Sequence, residues 1–247
     1  MTSVSIITVV RNGAETIRDC LESVRSQTVS CEHVVVDGDS TDGTQEIVRE
    51  FLDASAVVSE RDEGMYDAMN KGLARVSGDV IGILNADDRF ASPDVVSRVL
   101  SALESTRADA CYGDLVYLDR ARPERIVRRW RSGTFSPRSF YWGWMPPHPT
   151  FFVKRSVYQR LGGFQTSLGS AADYELMLRF LLRHNVPCSY VPEVLVKMRM
   201  GGVSNASIGN RLRANRFDRE AWRRNGLVPL PWTLALKPLR KLSQFLP

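Results

Sequence analysis

Apolar residues follow two rhythms along the first half of the chain. Near-continuous apolar runs cover Val4–Val10, Val34–Val36 and Val80–Leu84, as short strands buried on both faces do. Between them apolar positions recur at helical spacing, at Ile17, Leu21 and Val24 and again at Met65, Met69 and Leu73, the latter a buried core stripe. Further helices are expected from about Gln45 to Leu52 and after Ser92-Pro93. Strand and helix patterns alternate from Val4 to about Leu115, which predicts an α/β fold with a parallel sheet flanked by helices. From Tyr112 to Phe152 the pattern becomes hairpin-like, with a turn around Asp119–Arg125, and predicts added antiparallel strands. Another apolar helix opens near Asp173 and runs through Leu176, Met177, Phe180 and Leu181.

The polar residues that end these runs carry the candidate chemistry. Val80–Leu84 runs into Asn85-Ala86-Asp87-Asp88. Acids placed where a parallel strand emerges stand at the carboxyl edge of the sheet, where open α/β folds hold ligands. Adjacent carboxylates repel, so a partly dry pair calls for a cation or for hydrogen-bond donors. A hard divalent metal that also carries substrate phosphates meets that need. The competing reading is a helix cap, with Asp87 or Asp88 starting the helix after Ser92-Pro93. The second strand runs into Asp37-Gly38-Asp39-Ser40-Thr41-Asp42-Gly43-Thr44, richer in acids than a capping turn needs. Carboxylates here suit ribose hydroxyls or the N3–H of uracil. Asp67, Asn70 and Lys71 fall on or near the polar face of the Met65–Leu73 helix, where they meet either a nucleotide or solvent.

Taken together, these segments resemble the family 2 glycosyltransferases, which have the GT-A fold. The resemblance rests on Ser5–Asn12, Val36–Thr44, Asp62–Gly72 and Asn85–Asp88, and continues through His148–Phe152, Leu161–Phe164 and Ala172–Leu176, in the family's order over residues about 3 to 200. It is closest to the bacterial subgroup that builds exopolysaccharides, O-antigens and cell-wall glycolipids. The resemblance implies a Rossmann-like nucleotide-diphospho-sugar transferase fold. It implies nucleotide-sugar contacts from Thr8, Val10, Asn12, Asp37, Asp39, Asp67, Asn70, Lys71, Asn85 and Asp87, with Asp37 reading uracil and Asp87 near the ribose and pyrophosphate. Asp88 matches the acid that binds Mg²⁺ or Mn²⁺ through the diphosphate, and Asp173 matches the general base of inverting members. His148, Trp144 and Glu175 fall on the acceptor or diphosphate side, and Glu175 is the neighbour that could replace Asp173 as base. Asn85-Ala86-Asp87-Asp88 stands in place of the usual Asp-x-Asp, and Ala172 stands where many relatives have Glu.

The chemistry agrees with this on independent grounds. Sugar transfer from a nucleotide donor needs charge neutralisation on the leaving diphosphate and a carboxylate to take the acceptor's proton. Asp173 is either that base or an acid favoured by a helix N-terminus. Trp142 and Trp144 suit a sugar or lipid face, or the core.

Composition adds a location and a partner. The chain has 247 residues and a net charge of +5. The expected organisation is a catalytic domain over 1–200, with a nucleotide-binding half to about 115 and an acceptor half from 116, then a basic amphipathic extension over 201–247. The four cysteines lack metal-ligand spacing and read as thiols of a reducing cytoplasm. No signal peptide and no membrane-spanning run is expected. From Lys197 onward, Lys and Arg interleave with Trp222, Leu227, Leu230, Trp232, Leu234 and Leu239. That mixture suits an anionic membrane surface, and a polyprenyl-diphosphate-linked or other glycan acceptor gives the surface a purpose. No nucleic-acid-binding module is visible. The expected location is therefore the inner face of the cell membrane. The rival readings are a catalytically silent nucleotide-sugar or lipid-binding protein and a nucleotidyltransferase.

Overall fold

The computed structural model describes residues 2–201, 208–241 and 244. The chain opens with β1 (Val4–Val10), α1 (Ile17–Arg25), β2 (Glu32–Asp37), α2 (Thr44–Arg49), β3 (Val57–Ser59), α3 (Met65–Leu73) and β4 (Val80–Ile83). It continues through β5 (Asp88–Phe90), α4 (Val95–Thr106), β6 (Ala110–Leu118), β7 (Ile126–Trp130), α5 (Pro137–Tyr141), β8 (Phe152–Lys154) and α6 (Arg155–Leu161). Next come α7 (Ala172–Met177), which runs into a π-helical turn over Leu178–Arg183, and then β9 (Cys188–Arg199), α8 (Ile208–Arg224) and α9 (Thr233–Arg240).

All but one strand lie in the order β3-β2-β1-β4-β8-β6-β9-β5, with β7 paired to β6. The first four are mutually parallel. β8 runs antiparallel to both β4 and β6, and β7 is antiparallel to β6, so the hairpin over 119–125 lies where the sequence places it. β9 returns parallel to β6 and antiparallel to β5. Alternation along β1 builds the layers. Ile7 and Val9 join Val34, Val36 and Met69 in one apolar cluster, while Val4 and Ile6 join Val80, Phe90, Val96 and Leu103 in another. A strand covered on both faces is apolar at most positions, which is why β1 reads as a near-continuous run, its buried Ser5 and Thr8 hydroxyls being hydrogen-bonded.

The chain lays down β1, β2 and β3 outward in one direction and then crosses back to place β4 on the other side of β1, so the strand order reverses there and a crevice opens at the carboxyl ends. Asp37 is the last residue of β2, level with Val10, and Asn85–Asp88 follows β4. Both acid segments therefore share one edge of the sheet.

Several expectations change. Met65 is exposed while Met69 is fully buried. α3 leans onto the sheet through its C-terminal half, where Gly72 sits so close to Ile7 that a Cβ would collide with it, and its first turn stands clear. α4 starts behind Asp94, so neither Asp87 nor Asp88 caps it. The C-terminal helices pack on the body. Trp222 is fully buried and donates to the Tyr174 hydroxyl at 3.0 Å. Thr233 Oγ1 donates to the Tyr141 carbonyl at 2.7 Å. Lys237 Nζ pairs with Asp218 at 2.8 Å and lies 3.6 Å from the Tyr174 ring centroid. The side chains of Arg211 and Arg213, and all of Leu242, Phe245 and Leu246, lie outside the described residues. No helix among the described residues is long and apolar enough to cross a membrane.

Candidate active site

The loop after β1 and the loop after β2 are stitched together. Asn12 Oδ1 accepts from the Thr41 amide at 2.9 Å, and its own amide donates to Ser40 Oγ at 2.7 Å. The Gly13 and Ala14 amides donate to Thr44 Oγ1 and Asp42. Asn12 and Asp39 both adopt left-handed backbone (φ 52° and 62°), which Asn and Asp tolerate better than most residues. Asp39 itself is exposed, and Val10 supplies its carbonyl to the Gly38 amide at 2.8 Å.

Asp37 is fully buried. Its Oδ2 accepts from Ser59 Oγ at 2.8 Å, Gln45 Nε2 at 2.9 Å and the Ser40 amide at 3.2 Å. Its Oδ1 has no partner. Asp88 repeats the pattern: Oδ2 accepts from Asn85 Nδ2 at 3.1 Å, while Asp88 Oδ1 and Asn85 Oδ1 are left without partners. These three are the orphaned buried side-chain atoms among the described residues. All are acceptor oxygens, and all stand at the carboxyl edge of the parallel strands. An orphaned buried acceptor costs about 1–3 kcal/mol, more when charged. The edge therefore demands donors or a cation.

The electrostatics agree. Burial and the charge of Asp87 push the Asp88 carboxyl well above the usual carboxylate range, with the Asn85 amide opposing. Burial also raises Asp87, against its own backbone amide and Arg199. An oxygen-only donor set fits a hard divalent cation. Among the described residues no group of three or more His, Cys, Asp or Glu gathers around one point, so the chain offers one or two carboxylates. That matches a cation completed by diphosphate oxygens and water.

A second group of polar residues gathers around Asp173, half-buried in the first turn of α7, where its Oδ1 accepts from the Tyr174 amide at 2.7 Å. The charge of Asp173 partly offsets the burial that lowers His148 and adds to the burial that raises Tyr66. Lys241, after α9, also feels Asp173, and Arg128 links this side to the first, since its guanidinium lies 4.4 Å from the Tyr117 ring centroid and Tyr117 feels Asp88. Burial lowers Lys241, with Lys237 and Arg128 adding to the effect.

Six residues expected to meet substrate hold other partners in this structure. Thr8 is buried beneath the edge, its Oγ1 against His33 Nε2 at 2.9 Å. Burial lowers His33 to about 4. Asn70 is a clamp: its amide donates to the Phe164 carbonyl at 2.9 Å and its Oδ1 accepts from the Phe164 amide at 2.8 Å. Lys71 and Asp67 face each other at 3.3 Å, and Lys71 also holds Glu60 and the Arg61 carbonyl. Trp144 is core, packed on Tyr112, Phe135 and Phe140 with its indole N–H on the Ser132 carbonyl at 2.7 Å. Glu175 is sealed in an ion pair with Arg179 at 2.9 Å and accepts from Asn225.

Other residues at the site had no local signal. Arg199, which the sequence groups with the basic tail, comes back along β9 to bind Asp19 beside Asp87, and Lys197 lines the same recess. Ser59 and Gln45 brace Asp37 from β3 and α2.

Comparison with known proteins decides the family. The model of the glycosyl transferase family 2 matches residues 5–162. The chain belongs to glycosyltransferase family 2. This glycosyltransferase is 35% identical over 189 residues to an uncharacterised glycosyltransferase of Mycobacterium tuberculosis, covering 73% of this chain and 69% of that one. It is 28% identical over 211 residues to a PGL/p-HBAD biosynthesis glycosyltransferase of Mycobacterium bovis, covering 83% and 80%. Its fold is GT-A: it overlays S. aureus TarS residues 1–349 in complex with UDP at TM-score 0.68, with 18% identity, covering 98% of this chain and 72% of that one. The mannosyltransferase PcManGT of Pyrobaculum calidifontis, solved with GDP-Man and Mn²⁺, overlays at 0.64 with 21% identity, covering 95% and 68%.

Proposed function

We propose that this glycosyltransferase moves a sugar, with inversion, from a UDP-sugar to a hydroxyl of a lipid-linked glycan acceptor at the inner face of a cell membrane. The observation that carries the donor half is the orphaned acceptor set, Asp37 Oδ1, Asn85 Oδ1 and Asp88 Oδ1, on one sheet edge. Asp37 offers its free oxygen to the uracil N3–H. Asp88, with Asp87 beside it, would hold Mg²⁺ or Mn²⁺, which supplies charge neutralisation for the leaving diphosphate. Asp173 takes the proton of the acceptor hydroxyl as that oxygen bonds to the anomeric carbon and the bond to the diphosphate breaks. One base on the acceptor side means a single displacement, hence inversion. The Mn²⁺ bound by PcManGT and the UDP bound by TarS support the donor reading.

The acceptor half rests on the relative in PGL/p-HBAD biosynthesis and on one surface. Trp142 and Trp232 are exposed with ring centroids 5.8 Å apart, and Leu239 is exposed near Arg240, whose guanidinium reaches the Trp142 carbonyl. Aromatic and Leu side chains beside cations suit an anionic lipid surface.

Incubating the protein with labelled nucleotide sugars and membranes, and reading the product by NMR, tests the reading. The expected product has the inverted anomer, and Asp173→Asn loses about 10²–10⁴-fold in turnover. A retained anomer, or a loss below tenfold, contradicts it.

A further inference from the structure

At the opposite end of β4 from the carboxylates lies a second concave region, a cleft between α3 and α6. Val76 precedes β4, Ile81 is its second residue, and the Arg155 amide at the start of α6 donates to the Asp79 carbonyl at 2.8 Å. Asn85–Asp88 follow the other end of the strand, so the cleft is separate from the donor edge. Its volume is about 330 Å³, at the lower end of small-molecule sites, which run from roughly 300 to 1,000 Å³.

The two walls differ in chemistry. The α3 side and β4 give an apolar floor of Leu73, Ala74, Val76 and Ile81. α6 gives Arg155, Tyr158 and Gln159, whose spacing puts them on one face of the helix. Among the described residues, none of these three side chains makes a hydrogen bond or a salt bridge. Tyr158 is only 8% exposed, and its ring is held edge-on to Phe180 at 5.4 Å. Its hydroxyl is not one of the sealed orphan atoms, so it reaches open space, and the cleft is the open space that Tyr158 lines. Burial raises that hydroxyl above its ordinary value, against Arg179, so it stays a donor. The half-buried Arg155 is felt by Asp79, but the Asp79 carboxylate is taken by the Ser3 amide and hydroxyl at 2.9 and 2.8 Å. No acid lines the cleft, and Asn70 at one end is committed to Phe164.

We propose that this cleft is a binding site for a medium-chain fatty carboxylate, with the head group on Arg155 and Tyr158 and the alkyl chain on the floor of Leu73, Ala74, Val76 and Ile81.

The charge decides the head group. A guanidinium donates two parallel bonds to a carboxylate, and the Tyr158 hydroxyl supplies a further donor to the same acceptor. An ammonium would meet the Arg155 charge with no acid to offset it. The floor decides the tail: it is aliphatic throughout, and each methylene it removes from water adds about fourfold in affinity. An unpaired, nearly buried hydroxyl beside an apolar floor is also what a small-molecule site presents before its ligand arrives.

The test titrates the full chain with octanoate, octylammonium and acetate, read by calorimetry and by amide NMR. Octanoate should bind saturably and shift the amides of Leu73, Ala74 and α6, while octylammonium and acetate should not saturate. Arg155→Gln should weaken octanoate by at least about tenfold, the scale of hydrogen bonds to a charged group, and Tyr158→Phe by about threefold. Ala74→Trp changes an exposed position and should abolish binding by filling the floor. Melting midpoints show that each variant is folded, and if Ala74→Trp is not, the two head-group variants decide. Octylammonium binding as tightly as octanoate overturns the inference. So does an octanoate affinity that survives Arg155→Gln and Tyr158→Phe, which would put the chain on another surface such as that of Trp142 and Trp232. Absence of saturation leaves the cleft a hydrated groove and overturns it as well.

Discussion

Burial and the Asp87 charge hold the Asp88 carboxyl well above the usual carboxylate range, so the folded chain binds a proton there more tightly than the unfolded chain does. The folded state then carries more protons, and stability falls as pH rises from the ordinary carboxylate range through the raised value. Asp88→Asn keeps the shape and removes the charge. In chelator at neutral pH it should melt above wild type, by about 2–4 °C for each kcal/mol recovered, and its melting curve should lose that pH dependence. Adding Mn²⁺ and UDP should reverse the ranking, since ligand bound only by the folded state stabilises it. An Asn variant that melts below wild type in chelator, with an unchanged pH profile, contradicts the idea of an uncompensated carboxylate. Glu175 gives the opposite case. Its partner Arg179 is buried and also holds the Leu161, Gly162 and Gly163 carbonyls, so Glu175→Ala strands a cation. Denaturant unfolding should show a loss of about 3–5 kcal/mol, with UDP affinity kept in the folded fraction. Unchanged stability with lost turnover would return Glu175 to the acceptor site.

At the scale of elements, the sequence is legible where one rule acts alone. β1, β2 and β4 read as apolar runs because they are covered on both faces, and the acids at their ends follow from strand direction. β5 carries no such signal: Asp88-Arg89-Phe90 is a strand only because Met198, Lys197 and Val196 of β9 pair with it. The same distant pairing brings Arg199 to Asp87 and hides it from any local reading. Asn70 and Lys71 lie on the expected polar face of α3, but what a polar face meets is set by the chain that folds over it, here the loop carrying Phe164 and the loop carrying Glu60. α8 and α9 read as a basic amphipathic extension; their apolar positions divide between the core, through Ala221 and Trp222, and the surface, through Trp232 and Leu239. α9 is joined to α8 by Lys237 and Asp218, whose carboxylate is nearly buried. Lys237→Met should cost about 3 kcal/mol, and Lys237→Met with Asp218→Leu should cost less than the sum of the single changes, measured by a double-mutant cycle. Additivity within about 0.5 kcal/mol contradicts the pairing.

At the scale of the whole molecule, the chain has both a sheet edge that gathers carboxylates and a surface that gathers Trp, Leu and Arg. Because Trp222 is core, deleting the tail tests folding and not membrane binding. Trp142→Ser with Trp232→Ser changes only exposed positions. The pair should weaken sedimentation with anionic phosphatidylglycerol vesicles while leaving UDP release unchanged, and the binding that remains should be salt-sensitive. Equal sedimentation of wild type with neutral and anionic vesicles contradicts the electrostatic part.

The central claim is that the orphaned oxygens of one sheet edge await a nucleoside diphosphate and a divalent cation. Titration calorimetry of UDP, with GDP as comparison, into the full chain tests it most directly, run in MnCl₂ and in EDTA, for wild type and Asp88→Asn. The account predicts Mn²⁺-dependent UDP binding by wild type and at least about tenfold weaker binding, roughly 1.4 kcal/mol, by Asp88→Asn. Equal affinity for UDP in both proteins, unmoved by EDTA, contradicts it.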